Sequence, residues 1–306
     1  MHVQTGVIAE ANPSALFLTF NQTKNENALE QVKKGLAKVP KLQDDYSSQY
    51  PDAKIHIVVA VGSCYWSELS PNTQPKELSP FPSLENGELV APNTPVDLLL
   101  HLRSDRKDVN FKLAQELNKL LGDAVELVEE VEGFRYLDNR DLTGFVDGTE
   151  NPEGDHRAEV AVVAEDDPAF AGGSYIHLQR YVHNMSYWNK QPVKKQEDTI
   201  GRTKQDNIEY ASADKELTSH TKRTSLKDAE GNSVEILRHS MPYGNTQECG
   251  LMFASYCRTP NNFTLMLKSM IEGDGNGHCD HLLKYTRAVT GQAFFAPSVE
   301  FLQSLG

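Results

Sequence analysis

Asp147 is followed directly by Gly148 in the segment Gly144 to Pro152, GFVDGTENP. A glycine after an acid lets the backbone turn sharply and come close to a ligand. The segment reads as a loop that can present a carboxylate, with a plain Asx-turn as the bland alternative. Arg238 and Ser240 lie two apart in EILRHSMPYG (Glu235 to Gly244), so on a strand their side chains share one face. Leu251 and Phe253 alternate in the same way in GLMFASYCR. Phe263, Met266, Leu267 and Met270 recur at helical spacing, a stripe that a core explains as well as a ligand does. With ten histidines in the chain, none stands out by type alone. His278, Cys279, Asp280 and His281 group four metal-ligating types. Neighbours on a helix diverge, so they do not converge on one ion. GDGNG (Gly273 to Gly277) follows a helical pattern and lacks a trailing Lys-Ser/Thr, which argues against a phosphate loop.

The elements that must position these residues follow from periodicity. Ala15 to Phe20 is a short apolar run of strand type, and Asn25 to Lys38 carries Leu29, Val32 and Leu36 near helical spacing. Ile55 to Val61 reads as a buried strand, Asp97 to Leu102 as another, Val109 to Leu121 as a helix and Val125 to Tyr136 as an extended run. Between the two buried strands lies a proline-rich stretch, Pro71 to Pro95, expected to be an ordered loop. The resulting order is βαββαβ, the ferredoxin-like pattern. The second half repeats the theme. Ser174 to His183, Val234 to Arg238 and Leu251 to Tyr256 read as strands. Ser186 to Thr199, interrupted at Pro192, reads as helix, as do Phe263 to Ile271 and Asp280 to Val289. The fold class is α+β, in two ferredoxin-like domains with antiparallel sheets, residues 1–137 and 138–306. The polar Gly- and Asp-rich stretch after residue 137 marks the division.

Composition narrows the function. A net charge of −13 and a pI of about 5.2 disfavour a polyanionic partner, so nucleic acid is not expected. No run reaches the ~18 to 20 apolar residues that span a bilayer, and the N-terminus lacks the pattern of a secretory signal. Cys64, Cys249, Cys257 and Cys279 form no CxxC and no disulfide framework, as expected of reduced thiols in a cytoplasmic protein.

GFVDGTENP resembles the signature loop of the dye-decolourising haem peroxidases, whose core is GxxDG. QRYVHN (Gln179 to Asn184), IGRTK (Ile200 to Lys204), a histidine before a short basic run at His220, EILRHSMPYG, GLMFASYCR and YTRAVTGQAFFAPS (Tyr285 to Ser298) follow in the family's order. The resemblance spans nearly the whole chain, and the compact length is similar to the shorter bacterial class B members. It implies two ferredoxin-like domains with one haem b in the second, hydrogen peroxide as oxidant and small aromatic electron donors such as phenols and anthraquinone dyes. It also implies a homodimer or higher homo-oligomer. The same pocket would serve an alternative role, haem handling or iron release.

The resemblance assigns roles residue by residue. His220 would ligate iron, with Thr221 standing where an apolar residue is expected and His183 as the next ligand in line. Asp280, expected at the start of the last long helix, would take the other ring nitrogen of His220 and raise imidazole basicity. Asp147 would be the acid–base group that moves a proton between the two oxygens of peroxide. Arg238 would stabilise developing negative charge and reach a haem propionate. Thr149, Glu150 and Gln179 would contact the cofactor, Ser240 would bond a water beside Asp147, and Leu251, Phe253 and Phe263 would wall the pocket. Tyr136, Tyr243 and Trp188 are side chains able to hold a radical and relay electrons from bulky donors at the surface. With Asp147 near the ordinary carboxyl value of about 4, activity would be greatest in mildly acidic buffer.

Overall fold

The structure, a computed structural model, describes residues 1–306. Its strands are β1 (Ser14–Gln22), β2 (His56–Gly62), β3 (Leu84–Asn86), β4 (Leu89–Ala91), β5 (Leu98–Ser104), β6 (Val125–Phe134), β7 (Ser174–His183), β8 (Leu237–Arg238), β9 (Met241–Gly244), β10 (Cys249–Cys257), β11 (Thr286–Ala288) and β12 (Gln292–Ala296). All but the β3–β4 hairpin join one sheet in the order β11-β7-β12-β2-β5-β1-β6-β9-β10-β8, and β7 also pairs with β10. Every pairing is antiparallel. The extra pairing closes the sheet into a barrel, which leaves no long edge for another chain to extend.

The first half contributes β2-β5-β1-β6 and the second β12-β7-β10 with β8 and β9 along the free side of β10. Two short seams join the halves. Phe294 and Phe295 pair with Gly62 and Val61, and Gly133 pairs with Tyr243. A Cβ on Gly133 would stand 2.7 Å from the Cβ of Met241, so only glycine lets that seam close. The two halves therefore share one sheet rather than standing apart as separate units.

Alternation along the strands sorts side chains to the two faces. Ala15 and Phe17 of β1, Ile176 and Leu178 of β7, Leu237, and Met252, Ala254 and Tyr256 of β10 form one buried cluster inside the barrel. Leu16, Leu18 and Phe20 face outward and pack under the helices Ala28–Gln49 and Lys107–Leu121. In the second half the outward face of β7, β8 and β10 meets the helix Pro260–Ile271. That outer layer carries the site.

Several expected elements change. The first long helix runs on to Gln49 with Pro40 inside it. The proline-rich stretch contains the β3–β4 hairpin. Asp280 to Val289 is not a helix: it is a 3-10 turn, His281–Lys284, followed by β11. Thr286 to Ala288 pair with His183 to Tyr181, and a ladder along β7 replaces the helical hydrogen bonds. No helix is long and apolar enough to cross a membrane.

Candidate active site

A cavity of about 400 Å³ lies between the outward face of β7, β8 and β10, the helix Pro260–Ile271, the loop around Asp147 and the helix His220–Thr224. This volume falls in the range of small-molecule and cofactor sites. Leu251 and Phe253 supply one apolar wall, and Phe263, Met266, Leu267 and Met270 supply another. The helical stripe thus faces the cavity as well as the core.

His220 opens the short helix His220–Thr224 and lines the cavity. Its Nδ1 lies 2.7 Å from Oδ2 of Asp280, whose side chain is completely buried. The other carboxylate oxygen of Asp280 accepts the Leu282 N–H at 2.9 Å, so the acid caps the 3-10 turn and holds the imidazole at once. Asp280 N–H donates to Met270 O, and His281 N–H donates to Thr218 O. These bonds tie the acid to the end of one helix and to the approach of the other. His220 Nε2 makes no hydrogen bond within the chain, so its lone pair is free for a ligand. Both nitrogens of His183 are occupied, Nδ1 by Thr286 Oγ1 at 2.8 Å and Nε2 by Asp141 Oδ1 at 3.1 Å, which leaves it no lone pair for iron.

The loop that carries Asp147 is pinned to the strand that carries Arg238. Asn151 Oδ1 accepts the Arg238 N–H at 2.9 Å, and Asn151 Nδ2 donates to Arg238 O at 2.8 Å. Asp147 is half-buried and lines the cavity. Burial pushes its carboxyl up, and Asp141 adds to the push. Arg238, the Gly148 N–H and His220 pull it back only in part. The ordinary carboxyl value expected for it is therefore corrected upward, because removing water penalises the charged form. Arg238 has no carboxylate partner, and its buried Nε has no hydrogen-bond acceptor. Glu235, the nearest acid in sequence, is taken by His156 at 3.0 Å.

Gln179 also lines the cavity. Its Oε1 accepts from Tyr181 OH at 3.1 Å, and its buried Nε2 has no partner. Thr149 and Glu150 stand exposed at the rim. Thr149 accepts from Asn207 Nδ2 at 2.8 Å, and Glu150 pairs with Arg202 at 2.9 Å. Ser240 is not among the residues that line the cavity. Its Oγ turns back to accept the Ala254 N–H at 3.1 Å, satisfying the backbone where β8 gives way to β9. The three candidate relay residues, Tyr136, Trp188 and Tyr243, all lie outside the lining, and Tyr243 OH accepts from Arg180. Trp188 is buried with its edge on Phe145, a cavity residue, at 6.1 Å between rings, and on Tyr285 at 4.9 Å.

Sequence reasoning passed over Asn151 as an anchor, the Asp141–His183 pair, and Arg202 with Glu209 at 3.0 Å on the rim. Asn151 and Arg202 lie inside motifs quoted above, but Asn151 meets Arg238 87 residues away and Arg202 meets Glu150 52 residues away, and no local signal marks such pairs; Glu209 is only seven residues from Arg202 and was simply passed over.

Buried polar atoms are nearly always partnered. Here Arg238 Nε and Gln179 Nε2 are not, and His220 Nε2 is free, all around one apolar-walled cavity. That donor set fits a flat apolar group with an anionic edge and a metal that takes nitrogen. Comparison with known proteins agrees. The family models for the N-terminal and C-terminal parts of Dyp-type peroxidases match residues 4–135 and 138–301. A dye-decolorizing peroxidase of Mycobacterium tuberculosis is 41% identical over 298 residues, 97% of this chain and 88% of the relative. A candidate Dyp-type peroxidase from Shewanella oneidensis superposes with a TM-score of 0.96 at 53% identity, covering 99% of this chain and 98% of that one. A variant of DypB from Rhodococcus jostii RHA1 in complex with heme superposes with a TM-score of 0.96 at 36% identity, with the same coverage of 99% and 98%. A more distant relative is a deferrochelatase of Escherichia coli K12, 27% identical over 80% of this chain and 66% of its own length. The chain belongs to the Dyp-type peroxidase family and is a peroxidase.

Proposed function

We propose that this chain binds one haem b in the cavity of its second half and reduces hydrogen peroxide there while oxidising phenolic or dye-like donors one electron at a time. The observation that carries the reading is the convergence of a carboxylate-held imidazole with a free Nε2, an unpaired guanidinium and a half-buried carboxyl on one apolar-walled cavity. Strand orders β2-β5-β1-β6 and β12-β7-β10, each with helices on the outer face, support reading the halves 1–137 and 138–306 as ferredoxin-like units.

His220 would hold the iron through Nε2, with Leu251, Phe253 and Phe263 against the ring and Arg238 and Gln179 as polar contacts at its edge. The bound haem would supply the redox centre for peroxide reduction. The protein's own work is proton transfer and charge control. Asp147, deprotonated, takes a proton from one peroxide oxygen and delivers it to the other, so that the departing oxygen leaves as water. Arg238 stays protonated throughout and stabilises the negative charge that builds as the proton leaves. Asp280 fixes the ring of His220 and makes Nε2 a stronger donor. Thr149 and Glu150, bonded to Asn207 and Arg202, hold the rim closed around the cavity mouth.

Iron release from haem is the second reading, supported by the deferrochelatase relatives. Mixing haem-loaded protein with peroxide separates the two. The peroxidase reading expects a rapid change in the absorption spectrum that is lost in Asp147→Ala and Arg238→Ala, and a Soret band that is lost in His220→Ala. Iron-free porphyrin accumulating without that peroxide response would favour release.

A further inference from the structure

A second titratable pair opens on the same cavity and has no part in the proton transfer described above. Asp141 and Asp147 belong to one small hairpin, in which Arg140 bridges Val146. Asp141 N–H donates to Phe145 O at 2.8 Å, and Asp147 N–H donates to Asn139 O at 2.9 Å. In an antiparallel ladder residues two apart share a face. Asp147 stands two beyond Phe145, which is opposite Asp141, so both acids point from the same face, and both line the cavity.

Asp141 is held from three sides. Its Oδ1 lies 3.1 Å from His183 Nε2, and its Oδ2 accepts the Thr143 N–H at 2.9 Å and the Thr143 hydroxyl at 2.5 Å. His183 is steadied in turn by Thr286 Oγ1 at 2.8 Å. Both side chains are largely buried, at 14% and 6% exposure. Burying an ion pair is not in itself a gain in stability, so the fold alone gives no reason for one here. The charges around the two acids are few. Asp147 faces Arg238 from β8 and His220 from its helix, while Asp141 faces His183 from β7 and the Cys249 thiol at the start of β10. The nearby cations turn elsewhere: Arg140 donates to the carbonyls of Gly144, Lys204 and Gln205, and Lys204 donates to Gln196 Oε1.

We propose that Asp141, held by His183, is a positioning residue that governs through space when Asp147 gives up its proton. Burial works against a charge on Asp141, but the bonds from His183 and Thr143 outweigh it and hold the carboxyl below its usual range. The resulting fixed negative charge pushes Asp147 the other way. His183 is the brace: its bond to Oδ1 fixes the Asp141 carboxylate in place and favours its charged form.

The inference rests on the haem reading only for its most convenient probe. Cyanide binds haem as an anion and must leave its proton on a nearby base, so its affinity, read from the Soret band of haem-loaded protein, reports the state of that base against pH. In Asp141→Asn the acid-side midpoint should fall by about one pH unit, since one like charge near the acid is gone. In His183→Ala, which removes the bond that favours the charged form of Asp141, the midpoint should fall as well, and in His183→Gln, which keeps a hydrogen-bond donor for Asp141, it should return toward the wild type. A merely structural pair would not move the midpoint of Asp147. Midpoints within about 0.2 units of the wild type in both Asp141→Asn and His183→Ala, with the limb still abolished in Asp147→Asn, would overturn the proposal. Should Asp141→Asn fail to fold, the contrast between His183→Ala and His183→Gln decides. Carbon-13 titration of the Asp147 carboxyl in the same proteins makes the comparison without haem, so failure of the haem reading and failure of this inference are told apart.

Discussion

Asn151→Ala should cripple the enzyme while leaving its haem in place. The side chain makes two bonds to the backbone of Arg238, at 2.9 Å and 2.8 Å, and they are the direct link between the Asp147 loop and β8. Each partly buried amide bond contributes about 1 kcal/mol net, so the pin is worth about 2 kcal/mol. Spread over a docked and an undocked loop of otherwise similar energy, that amount changes the docked fraction by up to about 30-fold. Where the loop docks loosely instead, a displacement of about 1 Å of the acid costs about 100-fold. The rate of the spectral change on mixing with peroxide, measured by stopped flow, should therefore fall by about 10- to 100-fold. The Soret band should persist, because His220 is positioned by Asp280 and not by this loop. Asn151→Asp should lie between the two, since a carboxylate still accepts the Arg238 N–H but can no longer donate to its carbonyl. A rate for Asn151→Ala within about twofold of the wild type would refute the idea that this pin sets the geometry of acid and guanidinium.

Other outcomes follow from the same geometry. Peroxide reactivity needs Asp147 deprotonated and so should rise with pH through the pKa of that carboxyl. Burial has raised this pKa, so the midpoint should lie above the usual value of about 4. Arg238→Leu removes a charge that lowers it and should move the midpoint higher still, as carbon-13 titration of the Asp147 carboxyl in the two proteins would show. His101, His177 and His239 are buried and held neutral, with His177 brought down to about 3. Their folded values lie below the unfolded value, so the stability they contribute is present above about pH 6.5 and lost as pH falls below it. With their three protons and that of His56, which burial also holds down, to about 4, taken up on unfolding, the slope should exceed about 4 kcal/mol per pH unit at its steepest. Urea denaturation from about pH 7 down to about pH 4 tests this, and His177→Gln should reduce the slope by about 1.4 kcal/mol per pH unit. Trp188 contacts Phe145 on the cavity wall and Tyr285, whose ring meets the exposed Tyr187 at 5.1 Å. Trp188→Phe and Tyr187→Phe should each slow the oxidation of a bulky dye by about tenfold or more while sparing a small phenol. Equal losses for both donors would remove the relay.

Much of the site was legible because the relevant signals are local. Asp147-Gly148 marks a turn, and Leu251 and Phe253 follow from strand alternation, which needs only the next residue but one, whereas Arg238 and His220 stand out only through the family resemblance. The stripe at Phe263, Met266, Leu267 and Met270 needs only a helix. What the sequence hides is where a side chain finds its partner. Ser240 has the parity of Arg238 and was expected to share its surroundings, yet a hydroxyl beside a break between strands does better by accepting a backbone N–H. Asp280 was expected to begin a helix and instead caps a short turn. Its hold on His220 comes from the tertiary contact 60 residues away, so it survives the change of element. The barrel is hidden for the same reason. Each half reads as a complete βαββαβ unit, and nothing in either run of residues announces that β12 will pair with β2 or that Gly133 will meet Tyr243. Only the cost of leaving those edges unpaired requires it. Closure has a functional consequence as well. With the inward face of β7, β8 and β10 committed to the barrel interior, every second side chain along those strands, Gln179, Arg238, Leu251 and Phe253 among them, is forced outward onto the face where the cavity lies.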